Sequence, residues 1–316
     1  MLVALAGGVG AARLLAGLVQ VVDPATVTAV VNTGDDMVLH GLHISPDIDT
    51  VTYTLAGLDN KETGWGLTGE TWTVMTALEE IGGESWFRLG DRDLATHLYR
   101  TQRLASGAPL SAVTAELAAA RGVAIAVLPM SDDPVRTKVT LAPAAGEGPA
   151  EVDFQHYFVR LGHQVPVAGL RFDGAPAARP GPGVLAALAE AETIIVCPSN
   201  PLVSIGPILA VPGVTEALVD RRPDVVAVSP IVAGAALKGP ADRLLTELGH
   251  QASVVGVARL YAPWVATLVI DEADAHLARA VEAEGVRCVV APTVMSSAER
   301  AARLADVVRR PAAGRP

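Results

Sequence analysis

The chain has 316 residues, half of them apolar, and its formal net charge is −10. This length fits one large α/β domain or two ordinary ones, and the acidic balance leaves no basic surface for neutralising many phosphates, which argues against nucleic acid as a partner. No apolar run approaches the roughly 18 residues of a membrane helix, and the N-terminus lacks a basic signal region. We therefore expect a cytoplasmic protein without a membrane anchor, whose two cysteines, Cys197 and Cys288, are buried free thiols.

The chain opens with the pattern of a strand, a glycine turn and a helix. The apolar run at 2–6 ends in the sequence GGVG at 7–10, and residues 11–22 then show helical apolar spacing. Residues 26–32 form a β-branched run without alternation, which is typical of a parallel strand buried on both faces. The pattern predicts one βαβ unit.

Further apolar runs predict strands at 123–129, 193–198, 224–230, 253–259, 265–271 and 286–292. Helical segments at 182–192 and 241–249 separate several of them. This alternation favours an α/β fold with a doubly wound, mostly parallel Rossmann-like sheet.

The domain organisation is predicted from changes in composition. We assign residues 1–308 to a single α/β domain, with a helical insertion at about 50–122, a short β excursion at about 141–172 and a disordered tail at 309–316. Inside the insertion, helix signals lie at 71–82, 91–106 and 109–121.

The glycine turn is the first candidate site, because backbone N–H groups and the positive end of a helix bind phosphate. It is not a Walker A loop, since no Gly-Lys-Ser/Thr follows. It also departs from the dinucleotide fingerprint: Arg13 stands where the third glycine belongs, and Asn32 stands near the place of the ribose-binding acid. These departures disfavour a nicotinamide oxidoreductase. A turn needed only for tight strand-to-helix packing is the alternative.

Two more loops rich in hydrogen-bonding residues follow predicted strands. PSNPLVSIGPIL follows the strand at 193–197, and SPIVAG follows the next one. With the glycine turn they converge on one edge of the sheet, where a mononucleotide is the natural occupant. The predicted nucleotide-binding residues are Gly7, Gly8, Gly10, Ala11, Ser199, Asn200, Ser204, Gly206 and Ser229.

Asp35, Asp36, Asp47 and Asp49 form a cluster on chain without a helical pattern. Carboxylates this close raise one another's pKa unless a cation neutralises them. Oxygen ligands without His or Cys at ligand spacing favour Mg²⁺ bound by one or two carboxylates and a substrate phosphate. Capping of helices or turns is the alternative for Asp36 and Asp47.

The stretch 86–100 places several charged residues at the start of a predicted helix. Asp91 or Asp93 is expected to be its N-cap, and a solvated ion-pair face accounts for most of the others. Arg88 precedes the helix and is the better candidate for contacting a ligand. His97 lies within the helix beside apolar residues, which disfavours a catalytic role.

Taken together, GGVGAARLLAGL, VVNTGDD, ISPDIDTVTYTLAG, LGDRDLATH, LPMSDDPVRT, PSNPLVSIGPIL and SPIVAG resemble the 2-phospho-L-lactate transferase family of coenzyme F420 biosynthesis. The resemblance runs from residue 3 to about 300. It implies transfer of a 2-phospholactyl group, or in bacterial members a phosphoenolpyruvyl group, from a guanosine-diphosphate-linked donor to the deazaflavin Fo. GMP leaves, Mg²⁺ assists, and the product is (dehydro) coenzyme F420-0.

The resemblance also assigns residues. Asp49 and Arg88 occupy positions that contact the deazaflavin in relatives, and Asp36 and Thr50 complete the predicted set. Asp35 and Asp49 are predicted to bind the metal or to accept the hydroxyl proton, two roles that stay open. The choice among lactyl, enolpyruvyl and glyceryl donors also stays open, because such small differences change pocket contacts by only about 1–3 kcal/mol. Relatives suggest a homodimer.

A sister family with a similar glycine-rich start provides the alternative function. Its members are regulatory binders of UDP-sugars without transferase activity. The acid-rich motifs NTGDD, SPDIDT and GDRDLATH favour the transferase, since a sugar-nucleotide sensor has no clear need for such a metal site.

Overall fold

The computed structural model of the protein describes residues 1–62, 64–142 and 150–310. Its strands are β1 (Leu2–Ala6), β2 (Val27–Val31), β3 (Met37–Leu39), β4 (Leu42–Ile44), β5 (Ala126–Pro129), β6 (Arg136–Leu141), β7 (Ala150–Asp153), β8 (Val167–Asp173), β9 (Thr193–Val196), β10 (Val225–Val228), β11 (Ile231–Val232), β12 (Ala235–Ala236), β13 (Thr267–Ile270) and β14 (Arg287–Val290). Its α-helices are α1 (Gly8–Leu18), α2 (Pro46–Leu55), α3 (Thr73–Glu80), α4 (Asp91–Ala105), α5 (Leu110–Ala120), α6 (Val184–Glu190), α7 (Gly206–Leu209), α8 (Val214–Asp220), α9 (Ala241–Glu247), α10 (Val254–Tyr261), α11 (Ala278–Ala283) and α12 (Ala298–Val308).

Seven parallel strands form the central sheet, in the order β14-β13-β10-β9-β1-β2-β5. From β1 the chain extends the sheet on one side through β2 and β5. It then returns to the other side of β1 and extends the sheet from β9 to β14. The predicted doubly wound, parallel α/β fold is confirmed, and the strand order reverses between β1 and β9, where such folds bind ligands.

The central strands are largely apolar because helices cover both faces of the sheet. On β1, Val3 and Leu5 belong to a core shared with α6, α8 and α10. Ala4 and Ala6 point to the opposite face and pack in a second core with α1 and α12. Both cores hold the carboxyl ends of the central strands in fixed positions, which gives the loops that follow them a rigid base.

One predicted strand is a helix. Residues 253–259 begin α10, and the Ser253 side chain caps it by accepting a hydrogen bond from Gly256 N at 3.2 Å. Six of the eight residues of this short helix are buried, and Arg259 is its one charged residue, so its sequence shows little of a polar side. Apolar periodicity alone does not separate a buried strand from a short buried helix.

The aspartate segment also differs from its prediction. Helix α2 begins at Pro46, so Asp47 and Asp49 lie in its first turn rather than on irregular chain. A proline at the first position and carboxylates in the first turn both favour a helix start. The antiparallel hairpin β3–β4 separates this helix from Asp35 and Asp36.

Helices α3, α4 and α5 lie where the helix signals of the insertion predicted them. The β excursion is a separate three-stranded antiparallel sheet in the order β7-β6-β8, which begins at Arg136. The assignment of 1–308 to a single domain stays a prediction. Of the predicted tail, residues 311–316 lie outside the described residues.

Neither cysteine forms a disulfide within the described chain. Cys197 is buried, as predicted, and burial raises the pKa of its thiol to about 12. Cys288 is only partly buried.

The apolar helices are short. In the described ranges, no single helix is both long and apolar enough to cross a membrane. One bent pair, Pro201–Leu209 with Val214–Asp220, reaches that length and composition together, with a bend of 93° between its parts.

Candidate active site

The glycine turn and the loop after β9 meet at the reversal point of the sheet. A Cβ atom on Gly10 would lie 2.3 Å from the carbonyl oxygen of Pro198, so only glycine allows this approach. The Ser199 hydroxyl donates to the carbonyl oxygen of Gly7 at 2.8 Å and accepts from Gly7 N at 3.3 Å. Ser204 also packs against Gly7. The structure therefore brings together two of the loops predicted to bind the nucleotide.

The other predicted nucleotide-binding residues mainly shape these loops. Asn200 Oδ1 accepts from Leu202 N at 2.9 Å and caps the helical turn Pro201–Ile205. Ser229 Oγ is hydrogen-bonded to both backbone groups of Ile231. Ala11 is buried in α1, and a Cβ atom on Gly206 would lie 3.0 Å from the Phe172 ring. Their contact with a nucleotide remains a prediction.

Asp47 lies against the N-terminal end of α1. Gly8, the first residue of α1, has a φ of 72°, and its backbone is hydrogen-bonded to the Asp47 carboxylate. The Asn32 side chain donates to Asp47 Oδ2 at 2.9 Å. Burial raises the pKa of Asp47 to about 6, although these two hydrogen bonds act to lower it. A phosphate at the glycine turn would thus have a carboxylate as its neighbour.

Asp35 and Asp36 are buried and incompletely hydrogen-bonded. Each has an Oδ1 atom without a hydrogen-bond partner in the described part of the chain. The second oxygen of Asp36 accepts from Ser45 Oγ at 2.7 Å. Burial raises the pKa of Asp36 to about 7, while burial and the charge of Asp47 raise the pKa of Asp35 well above its ordinary value. Buried carboxylates in this condition are stabilised by a proton or a cation.

The partner of Asp49 is an arginine that the sequence analysis missed. Arg100 is fully buried, and its Nη1 and Nη2 donate to Asp49 Oδ2 at 3.0 Å and to Oδ1 at 2.5 Å. One signal pointed to it: Asp93, His97 and Arg100 are spaced i, i+4 and i+7, so they share one face of α4. Three polar residues on a buried face indicate a hydrogen-bond network.

Arg88 contacts an aromatic ring. It is exposed, and its guanidinium carbon lies 4.6 Å from the centroid of the Trp72 ring, a cation–π contact. Trp72 in turn packs edge-on against Trp65, with ring centroids 5.9 Å apart. Among the described residues, no hydrogen bond or ion pair joins Arg88 to the aspartate cluster.

The predicted N-cap of α4 is wrong. Gly90 occupies the N-cap position, and the Glu70 side chain accepts from the backbone N–H groups of Arg92 and Asp93 at 2.8 and 2.9 Å. Asp91 caps the neighbouring helix α3 instead, where it accepts from Thr73 N at 3.0 Å. Asp91 therefore belongs to α4 but caps α3, a contact between helices that spacing along the chain does not reveal.

Two clefts contain predicted site residues. The first is small, about 20 Å³, and lies between α1, α2 and the loop after α2; Arg13, Thr50 and Trp65 are among its lining residues. The second, of about 290 Å³, is lined by Asp36 and Arg136 among others. The predicted deazaflavin contacts Thr50 and Asp36 thus face different clefts.

The donor set is compatible with magnesium but does not enclose an ion. In the described ranges, no three His, Cys, Asp or Glu side chains are grouped so as to hold a metal. Mg²⁺ usually takes only one or two protein carboxylates and completes its shell with water and substrate phosphates. The unpartnered Oδ1 atoms of Asp35 and Asp36 offer oxygen ligands of that kind.

Comparison with solved structures agrees on the fold. A crystal structure of a UPF0052-family protein from Bacillus halodurans matches with a TM-score of 0.60 at 16% identity, covering 98% of each chain. A second structure of that protein gives a TM-score of 0.61 at 15% identity, covering 98% of this chain and 99% of the other. At such identity the likeness shows the fold alone.

Comparison of sequences identifies the family. The profile described as 2-phospho-L-lactate transferase CofD matches residues 2–307. A protein from Kitasatospora aureofaciens named phosphoenolpyruvate transferase is 46% identical over 307 residues, covering 96% of this chain and 95% of the relative. Relatives of the same name from Streptomyces griseus and Thermobifida fusca are 46% and 43% identical, covering 96% of this chain and 96% and 95% of their own.

The fold and these matches define a transferase with a Rossmann-like α/β sheet. The chain belongs to the 2-phospho-L-lactate transferase family, as its motifs predicted.

Proposed function

We propose that the protein transfers a phosphoenolpyruvyl or 2-phospholactyl group from a guanosine-diphosphate-linked donor to the ribityl hydroxyl of Fo. The hydroxyl oxygen bonds to the phosphorus of the transferred group, the P–O bond to GMP breaks, and GMP leaves with the electron pair. The product is (dehydro) coenzyme F420-0. The names of the relatives favour the enolpyruvyl donor.

The observation that carries this proposal is the buried aspartate cluster beside the glycine turn. Asp47 already lies at the N-terminal end of α1. A diphosphate bound there would bring further negative charge next to four buried carboxylates, which a cation would neutralise. A site of this kind suits phosphoryl transfer, where charge neutralisation and positioning supply most of the catalysis.

Asp35 and Asp49 are the two candidates for holding Mg²⁺ and for accepting the hydroxyl proton. When bound, the ion would neutralise charge on the phosphate oxygens of the donor. Each oxygen of Asp49 accepts one hydrogen bond from Arg100, and a carboxylate oxygen can accept a second interaction. Asp49 can therefore contact the ion while it keeps both hydrogen bonds from Arg100.

Asp35 is the better proton acceptor of the two. Burial and the charge of Asp47 raise its pKa, so its ionised carboxylate is a stronger base than that of an ordinary aspartate. Asp49 faces a guanidinium instead. We therefore assign acceptance of the hydroxyl proton to Asp35, and contact with Mg²⁺ and orientation of the reacting groups to Asp49.

Binding experiments test the function as a whole. Titration calorimetry with GDP, Fo and UDP-N-acetylglucosamine, with and without Mg²⁺, is expected to show binding of GDP and Fo, with GDP binding strengthened by the ion. Release of GMP from the enolpyruvyl and lactyl donors then identifies the substrate. Binding of the UDP-sugar alone would identify a sensor and contradict the transferase. Cytoplasmic location and a homodimer stay predictions.

Arg88→Ala is expected to weaken Fo binding by about tenfold and to leave GDP binding within about twofold. The guanidinium lies on an aromatic ring, and losing a cation next to a flat ligand costs on the order of 1 kcal/mol. Calorimetry with each ligand measures both effects. Arg160→Ala is the matched control, since Arg160 lies 6.0 Å from the Trp86 centroid in a similar contact. Equal losses for both ligands would contradict the assignment.

A further inference from the structure

Arg100 is the largest fully buried side chain in the described part of the protein. It extends from α4 between α2 and β4, where it holds Asp49 with both terminal nitrogens and lies 3.4 Å from the carbonyl oxygen of His43. It lines neither of the two clefts. Arg100 is thus placed to act on Asp49 and not on a substrate.

Stability alone is a poor explanation for this pair. Removing a guanidinium and a carboxylate from water carries a large desolvation cost, and apolar residues of similar volume often serve the fold as well or better. What the pair adds is a fixed orientation of the Asp49 carboxylate. The planar fork of arginine matches both oxygens of a carboxylate and fixes the plane in which they lie.

Further residues hold the guanidinium in place. His97 Nδ1 lies 3.2 Å from Arg100 Nη1; because arginine only donates, this nitrogen accepts and the ring proton resides on Nε2. That nitrogen faces Asp93 Oδ2 at 3.3 Å, an electrostatic contact without hydrogen-bond geometry. The Tyr53 hydroxyl donates to Asp93 Oδ1 at 2.5 Å. Both ring nitrogens of His97 therefore face protein groups. His97 thus helps to position Arg100 and is not placed to exchange a proton with a substrate.

We propose that Arg100 is a positioning residue for group transfer, which acts through Asp49 by fixing the orientation of its carboxylate, with His97 and Asp93 as its support. The proposal rests on the proposed function and adds a residue to it. It gives the ISPDIDT and LATHLYR segments a joint role, because Asp49 of the first pairs with Arg100 of the second, 51 residues further along the chain.

The test compares Arg100→Lys with Arg103→Lys. Both arginines lie on α4 and pair with a carboxylate, but Arg103 binds Glu116 at the surface. Lysine keeps the charge and loses the two-pronged geometry. We expect Arg100→Lys to lower kcat by about tenfold or more, with KM for donor and acceptor within about threefold, and Arg103→Lys to stay within about twofold. Arg100→Gln replaces the lysine variant if that variant does not fold.

A second measurement reports on the pair without turnover. In ¹⁵N NMR spectra of the arginine side chains, the Nη signals of Arg100 are expected to be shifted and protected from exchange, and Asp49→Asn is expected to remove that protection. A protected pair with reduced kcat supports the proposal. The proposal is overturned if the Arg100 signals are unprotected. It is also overturned if the folded Arg100→Lys protein keeps the wild-type kcat and shows only a lower melting temperature.

Failure of the proposed function is recognised separately. If the wild-type protein releases no GMP from any donor, the transferase proposal fails before a variant is compared, and the positioning role falls with it. If the wild type is active and only the arginine comparison fails, the transferase proposal stands and Arg100 is structural.

Discussion

Asp35→Asn is expected to lower the rate of transfer by two orders of magnitude or more, and at the same time to stabilise the protein above neutral pH. The rate falls because asparagine does not accept the hydroxyl proton. Both effects come from one buried carboxylate whose Oδ1 has no partner in the described chain.

The sign of the stability effect follows from the raised pKa of Asp35. An aspartate whose pKa is higher in the folded state is protonated at little cost in acid, and it destabilises the fold as pH rises from its unfolded pKa through its folded pKa. Asparagine does not titrate. The free energy of unfolding of the variant should thus exceed that of the wild type by about 1–3 kcal/mol at about pH 8 and approach it near pH 4.

Chemical denaturation in the presence of EDTA, at both pH values, measures this difference, and GMP release measures the rate. Asp153→Asn is the control, because Asp153 is exposed and pairs with Lys138 at the surface. Its effect on stability should stay within about 0.5 kcal/mol. An Asp35→Asn protein that transfers at the wild-type rate would remove Asp35 from the mechanism.

Asp49→Asn is expected to lower transfer by a similar factor, but with a loss of stability. The substitution leaves the charge of Arg100 buried without its carboxylate, a change that typically costs about 3–5 kcal/mol. The single variant therefore mixes two effects, lost catalysis and lost stability, that have to be separated.

The double variant Asp49→Asn/Arg100→Met separates them. Replacing the guanidinium with an apolar side chain removes the unpaired charge, so thermal unfolding should recover most of the lost stability. Turnover should stay low, because the carboxylate is still absent. A double variant that regains both stability and turnover would show that Asp49 serves only the fold.

The elements of the fold that were predicted from the sequence are those with a distinctive local pattern of residues. β1 and β2 are continuous apolar runs because both faces of the sheet are covered, and the glycine turn between β1 and α1 is marked by its own residues. The run at 253–259 was misassigned because Arg259 is the one charged residue of this mostly buried helix, too little of a polar face to reveal its period. A local sequence pattern predicts an element correctly when that pattern occurs in only one kind of secondary structure.

The candidate site was predicted in its residue types and only partly in its geometry. The cluster of Asp35, Asp36, Asp47 and Asp49 was recognised because the four residues are close in sequence. Their environments differ for reasons that are not local: Asp47 meets the start of α1, Asp49 meets Arg100, and Asp35 has no partner for one oxygen in the described chain. Each of these contacts depends on which helix packs beside the carboxylate.

The sequence by itself determined the α/β class, the family and the acid-rich motif, because these are carried by short segments whose chemistry does not depend on distant neighbours. Only the tertiary structure decided that Arg100 of α4 holds Asp49 of α2, across 51 residues of sequence. A buried charge takes whatever partner the packing brings within hydrogen-bond distance, and packing is a property of the whole chain.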